Sequence, residues 1–585
     1  MTRARWFVSA VVVAFALTTL SAQEDDVTFL WSKYWAPPTT QQTFPEACYL
    51  AQTKTANLGI TFSGGGTRSA SATIGELRGM LENGWLSKVR YIAAVSGGSW
   101  AATPFVYAPY SEATLLGPSH LPQALGRSLI ETRPPEHTLA RAVVDARTVA
   151  AGGVEAAKII AAQTINDGTL PTQVKSLVNR LHGGIIDRTY ANILARAFIT
   201  PLIPDGEKLP YGWTPASVEA DFGSLNDFSR TQFVTTSGTR PFLIVGGSII
   251  YMHEAYTYPR LMPIEYTPLY TGVRNEFSGR LGGSYVWPFA YHADRADLAD
   301  ATTLRVRVKK NAPPFSLADM IASSGAAPLL TLFLNDPTGF SPRVFPTFNH
   351  YTVRNRTATP VTTSLLHGDG GFTDYLGLMP LLARQVTNII VFLNGTGPIT
   401  KEQAIESLFY KLNLQTGSAD RKGNVVFDQA HYEELVKGLE ANVQAGLTAA
   451  FCGRNWRVLD NELYGIRAYS GLNICFVNTE RNDRWVKELP TETQELLTTR
   501  GFRGFPWFST FLQNVPYVIR LKPAQVNLMS EFTTWMLTEP RNRRLFEDSS
   551  VGPALTSEPT EMSKEFPACP QPQRFDLTAT RRVQR

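Results

Sequence analysis

The sequence has few charged residues, and it lacks the features of several protein classes. Charged residues make up 18% of the 585 positions, below the rough quarter that is typical of soluble domains. The formal net charge is only +5 and is spread along the chain, which argues against a nucleic-acid-binding face. Because 43% of the residues are hydrophobic, the chain can bury a large core, and a disordered protein is excluded.

Cysteine is also scarce, with four residues at positions 48, 452, 475 and 569. None lies in a CxxC pair or at a zinc-ligand spacing from a histidine, so we expect no zinc site. An even number in an exported chain predicts two disulfides with three possible connectivities. We favour Cys452 with Cys475, which are nearest in sequence, and four buried free thiols are the alternative.

Long apolar runs are missing except at the N-terminus. Two arginines precede an apolar stretch from Trp6 to Leu20, which is short for a membrane span, and Ala22 can close a cleavage site. We therefore predict a signal peptide at 1–22 and a secreted or extracytoplasmic protein, with an uncleaved anchor as the alternative. Two sequons, Asn355-Arg-Thr and Asn394-Gly-Thr, predict a glycoprotein if the chain enters a eukaryotic secretory route.

Apolar runs and glycines predict an α/β fold. Residues 58–62 and 91–95 are apolar runs that end in glycine-containing turns, and each is followed by a helical stretch. This order is typical of a central, mostly parallel sheet with helices on both faces. Further strands are predicted at 242–245, 303–308, 362–366 and 388–393.

The composition suggests how the chain is divided. An N-terminal arm at 23–56 precedes a main domain at 57–547, and a loose tail follows at 548–585. Residues 110–240 look helical and loop-like, and we predict that they form an insertion that caps the sheet. In the first helix, predicted over 69–83, two glycines at positions 75 and 79 lie one turn apart, which favours close packing of another backbone.

Ser96 is the candidate nucleophile. It lies between a predicted strand and a predicted helix and is followed by Gly97 and Gly98, as in a turn that raises a serine hydroxyl above a sheet. Ala94 stands where the usual G-x-S-x-G pattern has its first glycine, a small steric change. An ordinary serine in a glycine-rich turn is the alternative.

A second piece, Ser63-Gly-Gly-Gly-Thr-Arg68, can supply anion-binding groups. Its backbone N–H groups lie at a helix N-terminus and can stabilise the oxygen of a tetrahedral intermediate. A nucleotide site is disfavoured because the G-x-x-x-x-G-K-[ST] and G-x-G-x-x-G spacings are missing. Arg68 opposes the helix dipole, which favours a role in holding an anionic headgroup, and an ordinary ion pair is the alternative.

The third piece, Asp369-Gly370-Gly371, supplies a candidate base at a strand end. A serine hydroxyl needs a positioned proton acceptor, which is usually a histidine oriented by a carboxylate. None of the eight histidines lies in a recognisable triad motif, although His367 is two residues before Asp369. Asp374 is a second nearby carboxylate and ranks lower because it lacks the glycine turn.

Together these pieces resemble the cytosolic phospholipase A₂ and fungal phospholipase B family, which is distantly related to patatins. The family's SGGGxR, GxSG[GS] and DGG patterns are met in order, apart from Ala94. Its aromatic EFTPYE segment is similar to Ile264-Glu-Tyr-Thr-Pro-Leu-Tyr270. Four motifs in the family's order are far more specific than one.

The resemblance implies specific roles for the candidate residues. Ser96 and Asp369 would form a catalytic dyad without a histidine. Gly65 and Gly66 would form the oxyanion hole, and Arg68 would contact the substrate phosphate. The resemblance also implies a patatin-like α/β fold with a lid over an apolar acyl funnel.

The activity that the resemblance implies is hydrolysis of fatty acyl esters in phospholipids or lysophospholipids, at a membrane or micelle surface. The calcium-binding module of some family members is not evident before Asn57, so we expect no metal or cofactor. An esterase with a Ser-His-Asp triad, using His367 or another histidine, is one alternative. A non-catalytic lipid-binding protein is the other. Finally, the aromatic stretch at 502–508 is predicted to be core packing rather than a lipid contact.

Overall fold

The computed structural model describes most of the main domain and parts of its flanks. The predicted signal peptide, the sequon at Asn355, the side chain of Cys48 and Cys569 lie outside the described part. The described residues are 27–35, 44–50, 57–146, 188–223, 225–226, 231–251, 260–277, 281–293, 295–298, 303–309, 314–327, 345–352, 361–398, 403–410, 423–508 and 521–557.

The described strands form one 14-stranded sheet. In chain order they are β1 (Val27–Trp35), β2 (Leu58–Phe62), β3 (Tyr91–Val95), β4 (Phe242–Tyr251), β5 (Arg260–Tyr266), β6 (Thr271–Phe277), β7 (Leu281–Val286), β8 (Arg295–Leu298), β9 (Thr303–Lys309), β10 (Thr347–Thr352), β11 (Val361–Asp369), β12 (Asn388–Leu393), β13 (Ala450–Val458) and β14 (Tyr469–Asn478).

The sheet is flanked by helices whose first and last residues both lie in the described part of the chain. They are α1 (Ala47–Leu50), α2 (Gly66–Glu82), α3 (Gly97–Tyr107), α4 (Glu112–Leu116), α5 (Arg127–Glu131), α6 (Thr189–Leu194), α7 (Pro215–Asp221), α8 (Leu317–Ser324), α9 (Met379–Ala383), α10 (Gln403–Glu406), α11 (Ala430–Gln444), α12 (Asp483–Glu488), α13 (Thr491–Thr498), α14 (Pro523–Thr538), α15 (Pro540–Glu547) and α16 (Gly552–Thr556).

The centre of the sheet is parallel and its remainder is antiparallel. Strands β14, β12, β2, β3 and β4 lie in that order and are joined by parallel ladders. β13 adds antiparallel at one edge, and β5, β6, β7, β1, β9 and β8 follow antiparallel beyond β4, with β11 and β10 branching from β4. The prediction of a mostly parallel sheet therefore holds for the five central strands only. Antiparallel strands can face water on one side, so they lack the continuous apolar runs that the prediction used.

Two cores cover the two faces of the parallel centre. Alternate residues of a strand point to opposite faces, so Ile390 of β12 packs in one core while Ile389 and Val391 pack in the other. The first core includes Ile74 of α2 together with residues of α14, and the second includes Leu381 of α9 and residues of α11. Helices therefore lie on both faces, as predicted.

Helix α2 is held close to α14 by its two interior glycines. A Cβ atom at Gly75 would lie 2.0 Å from the carbonyl oxygen of Ser530. A Cβ atom at Gly79 would lie 2.9 Å from Cβ of Leu537. This confirms the predicted close packing and fixes the helix that begins at the glycine loop.

The fold extends beyond the predicted boundaries of the main domain. β1 pairs with β7 and β9, so part of the predicted N-terminal arm belongs to the sheet. At the other end, Val551 and Leu555 are buried, so the predicted tail begins with packed residues. The described parts of the predicted cap carry α4 to α7 and a π-helical turn at Ala195–Ile199, and their role as a cap stays a prediction.

Cys452 and Cys475 form a disulfide between the paired strands β13 and β14, which confirms the favoured pair. Within the described ranges, no helix combines the length and the apolar character needed to cross a membrane.

Candidate active site

Ser96 occupies the turn between β3 and α3. Its φ of 52° and ψ of −125° are unfavourable for a residue with a side chain, as is common for residues held in place at functional sites. The following glycines allow the turn to pack tightly. A Cβ atom at Gly97 would lie 2.0 Å from the carbonyl oxygen of Gly66, and one at Gly98 would lie 2.6 Å from that of Phe62. The strand–turn–helix setting predicted for Ser96 is present.

The hydroxyl of Ser96 donates to Oδ2 of Asp369 at 2.8 Å. Asp369 is the last residue of β11, and its Oδ1 accepts the backbone N–H of Gly371 at 2.7 Å. Ser96 and Asp369 are only 5% and 4% exposed. The fold therefore brings together, in a buried setting, two polar residues that are 273 positions apart in the chain.

The surroundings of Asp369 change its proton affinity. Burial raises the pKa of Asp369 from 3.8 to about 7, although the hydrogen bonds from Gly371 and Ser96 lower it. A carboxyl group with a pKa near neutrality can be ionised at physiological pH and still be a useful proton acceptor. The pair therefore has the geometry and the electrostatics of a nucleophile beside its base.

The glycine loop lies directly against the turn that carries Ser96. A Cβ atom at Gly64 would lie 3.4 Å from Cβ of Ser96. Gly65 and Gly66 have φ values of 136° and 60°, which residues with side chains rarely adopt. Because Gly66 begins α2, its N–H has no acceptor within the helix and lies at the positive end of the dipole. The oxyanion-hole role of Gly65 and Gly66 stays a prediction.

Arg68 is buried and its guanidinium binds backbone carbonyl oxygens. Nε and Nη2 donate to the carbonyl of Asn394 at 3.4 and 3.2 Å, and Nη1 donates to that of Phe508 at 3.0 Å. Phe508 belongs to the aromatic stretch, whose three phenylalanines are buried, which confirms the core-packing interpretation. Arg68 thus joins α2 to the end of β12 and to the aromatic stretch. Its contact with a substrate phosphate remains a prediction.

A buried polar network centred on Asn394 holds the glycine loop in place. Nδ2 of Asn394 donates to Oγ of Ser69 at 3.3 Å and to Oε2 of Glu76 at 3.4 Å, and its backbone N–H donates to Oγ of Ser63 at 2.8 Å. Burial raises the pKa of Glu76 to about 8, although the bond from Asn394 lowers it. Asn394 is fully buried, so the folded protein does not expose this sequon to glycosylation, and the prediction fails at this position.

His367 has hydrogen-bond partners other than Ser96. Its Nε2 pairs with the hydroxyl of Tyr291 at 2.7 Å, and its Nδ1 faces the carbonyl oxygen of Leu365 at 2.9 Å. Burial lowers the pKa of His367 to about 3, so the ring is neutral at physiological pH. The Ser96 hydroxyl donates to Asp369 instead, so the geometry gives no support to a triad that uses His367.

Asp374 has a structural position. Its Oδ2 accepts the backbone N–H of Met379 at 2.8 Å, at the start of α9. Burial raises the pKa of Asp374 to about 6, while hydrogen bonds from backbone N–H groups lower it. These contacts agree with its lower rank as a candidate base.

A small cavity of about 30 Å³ lies elsewhere, between α7 and the turn after β7. Its lining is largely aromatic and includes Trp213, Phe222 and Trp287, but neither Ser96 nor Asp369. Within the described part of the chain, no cluster of histidine, cysteine or acidic residues has the arrangement of a metal site.

No protein-family model and no curated protein sequence matches the chain. Among solved structures, human GIVD cytosolic phospholipase A2 is similar at 12% identity with a TM-score of 0.42, over 87% of this chain and 62% of that chain. Its complex with methyl gamma-linolenyl fluorophosphonate and terbium chloride is similar at 11% identity with a TM-score of 0.37, over 87% of this chain and 61% of that chain. Its complex with the fluorophosphonate alone is similar at 13% identity with a TM-score of 0.36, over 86% of this chain and 60% of that chain. This chain thus spans less than two thirds of the length of those chains. TM-scores this low carry no information about function, which depends on the geometry of the site.

The structure adds one residue to the site that no sequence motif indicates. Oγ of Ser324, the last residue of α8, accepts the backbone N–H of Ser96 at 2.8 Å. Its own hydroxyl donates to the carbonyl oxygen of Gly246 at 2.6 Å. Ser324 lies in an ordinary helical sequence, so only the tertiary contact identifies it.

Proposed function

We propose that this protein is a serine acyl-ester hydrolase that releases fatty acids from phospholipids or lysophospholipids. The single observation that carries the proposal is the 2.8 Å hydrogen bond from Ser96 Oγ to Asp369 Oδ2, beside a glycine loop at a helix N-terminus. The four motifs that resemble the phospholipase family support the lipid substrate. A serine paired with a base next to backbone amides is the arrangement that acyl transfer requires.

The reaction would proceed in two steps. Ser96 Oγ bonds to the acyl carbonyl carbon while Asp369 takes the hydroxyl proton, and the N–H groups of Gly65 and Gly66 stabilise the oxyanion. The ester C–O bond then breaks, and the departing alkoxide takes the proton from Asp369. Water attacks the acyl-enzyme with Asp369 again as base, which releases the fatty acid and restores Ser96. Losing one oxyanion donor typically raises such a barrier by about 3 kcal/mol.

The decisive experiment compares purified wild-type and Ser96→Ala protein on phosphatidylcholine and lysophosphatidylcholine vesicles or micelles, with free fatty acid as the readout. We expect release by the wild type and none above background by the variant. Ser71→Ala is a matched control, because Ser71 is equally buried but bonds only the carbonyl of Thr67 in its own helix. Equal release by wild type and Ser96→Ala would refute the proposal.

A fluorophosphonate probe separates the enzyme from a non-catalytic lipid-binding protein. Labelling of Ser96 requires an activated hydroxyl, so we expect labelling that disappears in Ser96→Ala and in Asp369→Asn. An unlabelled, folded wild type that still binds lipid would favour the binding protein.

We also propose that the protein acts outside the cytoplasm, because residues 1–22 have the pattern of a signal peptide. Mass spectrometry of the protein recovered from the producing cell and its medium would test this. An intact N-terminus on a cytoplasmic protein would contradict it.

A further inference from the structure

We propose that Ser324 is a positioning residue for the nucleophile, and that it holds the backbone N–H of Ser96 away from the reacting carbonyl group. This inference rests on the proposed function and deepens it. It assigns a role to α8, which carries none of the sequence motifs.

The backbone of Ser96 needs external support. A non-glycine residue in its conformation typically costs about 1–3 kcal/mol and persists only where neighbouring groups hold it. The carbonyl oxygen of Ser96 accepts from Oγ and N of Ser99 at 2.6 and 2.9 Å, within the turn itself. The N–H of Ser96 donates to Ser324, 228 positions further along the chain. Ser324 therefore supplies a constraint from a separate element.

The hydroxyl of Ser324 is oriented by its other partner. It donates to the carbonyl oxygen of Gly246 at 2.6 Å, which leaves its lone pairs to accept from Ser96. Gly246 of β4 also lies against Gly370, the residue after Asp369, because a Cβ atom at Gly370 would be 2.3 Å from the same carbonyl oxygen. Ser324 thus connects the turn of the nucleophile to the strand that packs beside Asp369.

This contact also constrains the identity of the oxyanion donors. Since the N–H of Ser96 is bonded to Ser324, it is not the group that meets the developing oxyanion. Gly66 begins α2, so its N–H lies where the helix leaves donors unused. The donors that remain are those of the proposed mechanism, in the glycine loop beside Ser96.

Helix α8 is itself fixed by the predicted cap. Arg188 forms an ion pair with Asp319, whose Oδ2 also accepts the backbone N–H of Ser316 at 3.0 Å. The hydroxyl of Tyr190 donates to the carbonyl oxygen of Gly325, directly after Ser324. The segment at 188–190 therefore holds α8, and with it Ser324, in place.

The test compares Ser324→Ala with Ser323→Ala as a matched control. Both serines are fully buried on α8, but Ser323 donates to the carbonyl of Asp319 in its own helix. We measure kcat and KM for lysophosphatidylcholine and the rate of fluorophosphonate labelling at Ser96. For Ser324→Ala we expect kcat and labelling to fall about tenfold, the effect of one lost hydrogen bond, with KM within about twofold. For Ser323→Ala we expect all three within about twofold.

Ser324→Cys tests the same hydrogen bond in a variant that should still fold, because a thiol fills nearly the same space and accepts hydrogen bonds poorly. It should lose kcat and labelling as Ser324→Ala does, while its thermal midpoint stays near that of the wild type. Wild-type rates in Ser324→Ala or Ser324→Cys, or an equal loss in Ser323→Ala, would overturn the inference and leave the proposed function standing. A wild type that neither hydrolyses lipid nor reacts with the probe would overturn both.

Discussion

Among the buried carboxylates of the described residues, two groups differ in how their charge is balanced. In the first, Arg384 donates through Nε to Glu46 at 2.6 Å and through two nitrogens to Glu265 at 3.1 and 2.7 Å. Tyr270 completes the cluster by donating to Glu46 at 3.0 Å. Glu265 and Tyr270 belong to the segment that resembles the family's aromatic motif, so that motif serves here as a charge-paired structural cluster.

In the second group, neutral donors take the place of a cation. Asp369 accepts from the hydroxyl of Ser96 and the N–H of Gly371, and Glu76 accepts from the amide of Asn394. Without a guanidinium beside them, burial raises the pKa of Asp369 to about 7 and that of Glu76 to about 8.

The difference bears on which carboxyl group can serve as the proposed base. Around Arg384, burial lowers the pKa, but Glu265, Tyr270 and Glu46 together raise it above its ordinary value, so the guanidinium stays charged. Such an ion-paired cluster fixes geometry. A buried carboxyl group without a cation can lose its proton near neutral pH and then accept one, which is what a general base needs.

The largest effect should come from Asp369→Asn, which keeps the shape and removes the base. We expect kcat to fall by about 10⁴, near the upper range for a general base, as measured by fatty-acid release. Asp374→Asn is the matched control, since Asp374 is also buried near the motif but bonds the start of α9, and its kcat should stay within about tenfold. Activity retained by Asp369→Asn would refute the proposed dyad of Ser96 and Asp369.

The next largest effect should come from Arg384→Leu, which leaves two carboxylates buried without a cation. We expect a loss of about 3–5 kcal/mol in the free energy of unfolding, measured by urea denaturation. Arg543→Leu is the control, because its ion pair with Glu547 lies at the surface and should contribute less than about 1 kcal/mol. A loss below 1 kcal/mol for Arg384→Leu would show that the cluster is not a structural support.

The pH dependence of kcat/KM should follow the ionisation of Asp369. Because only the carboxylate accepts the serine proton, kcat/KM should fall about tenfold per pH unit below about pH 7 and be constant above it. Circular dichroism at each pH separates this from unfolding. A midpoint of the kcat/KM profile near pH 4, or a kcat/KM that falls above pH 7, would contradict a base that is buried without a neighbouring cation.

The sequence located three of the five parallel strands well. β2, β3 and β12 begin and end at the predicted residues, because strands buried on both faces are continuous apolar runs. β4 begins at the predicted Phe242 but continues to Tyr251, and β14 was not predicted. β13 was not predicted, since its exposed Arg454 and Arg457 interrupt the apolar pattern. Long-range pairing, rather than local composition, defines such strands.

The candidate site was only partly visible in the sequence. Ser96 and Asp369 stand beside glycines that their tight turns require, so local pattern marks them. Glu76 sits one residue after Gly75 on a helix and resembles a surface carboxylate, and Ser324 resembles any helical serine. Their importance arises from contacts with residues more than 200 positions away, which no local pattern contains.

Glu76→Gln should change only the pH dependence of stability, and it sharpens the comparison best. The folded pKa of Glu76, about 8, lies above its ordinary value of 4.5, so the wild type loses stability as pH rises between these values. Glutamine does not titrate, so the variant should gain up to about 5 kcal/mol over the wild type at pH 9 and almost nothing near pH 4.5. Urea denaturation at both pH values measures this, with Glu433→Gln on the exposed face of α11 as a control that should show no such difference. If the stability difference between Glu76→Gln and the wild type were the same at both pH values, the charge of Glu76 would be balanced, as that of Glu46 is by Arg384. The distinction between the two groups of carboxylates would then rest on Asp369 alone.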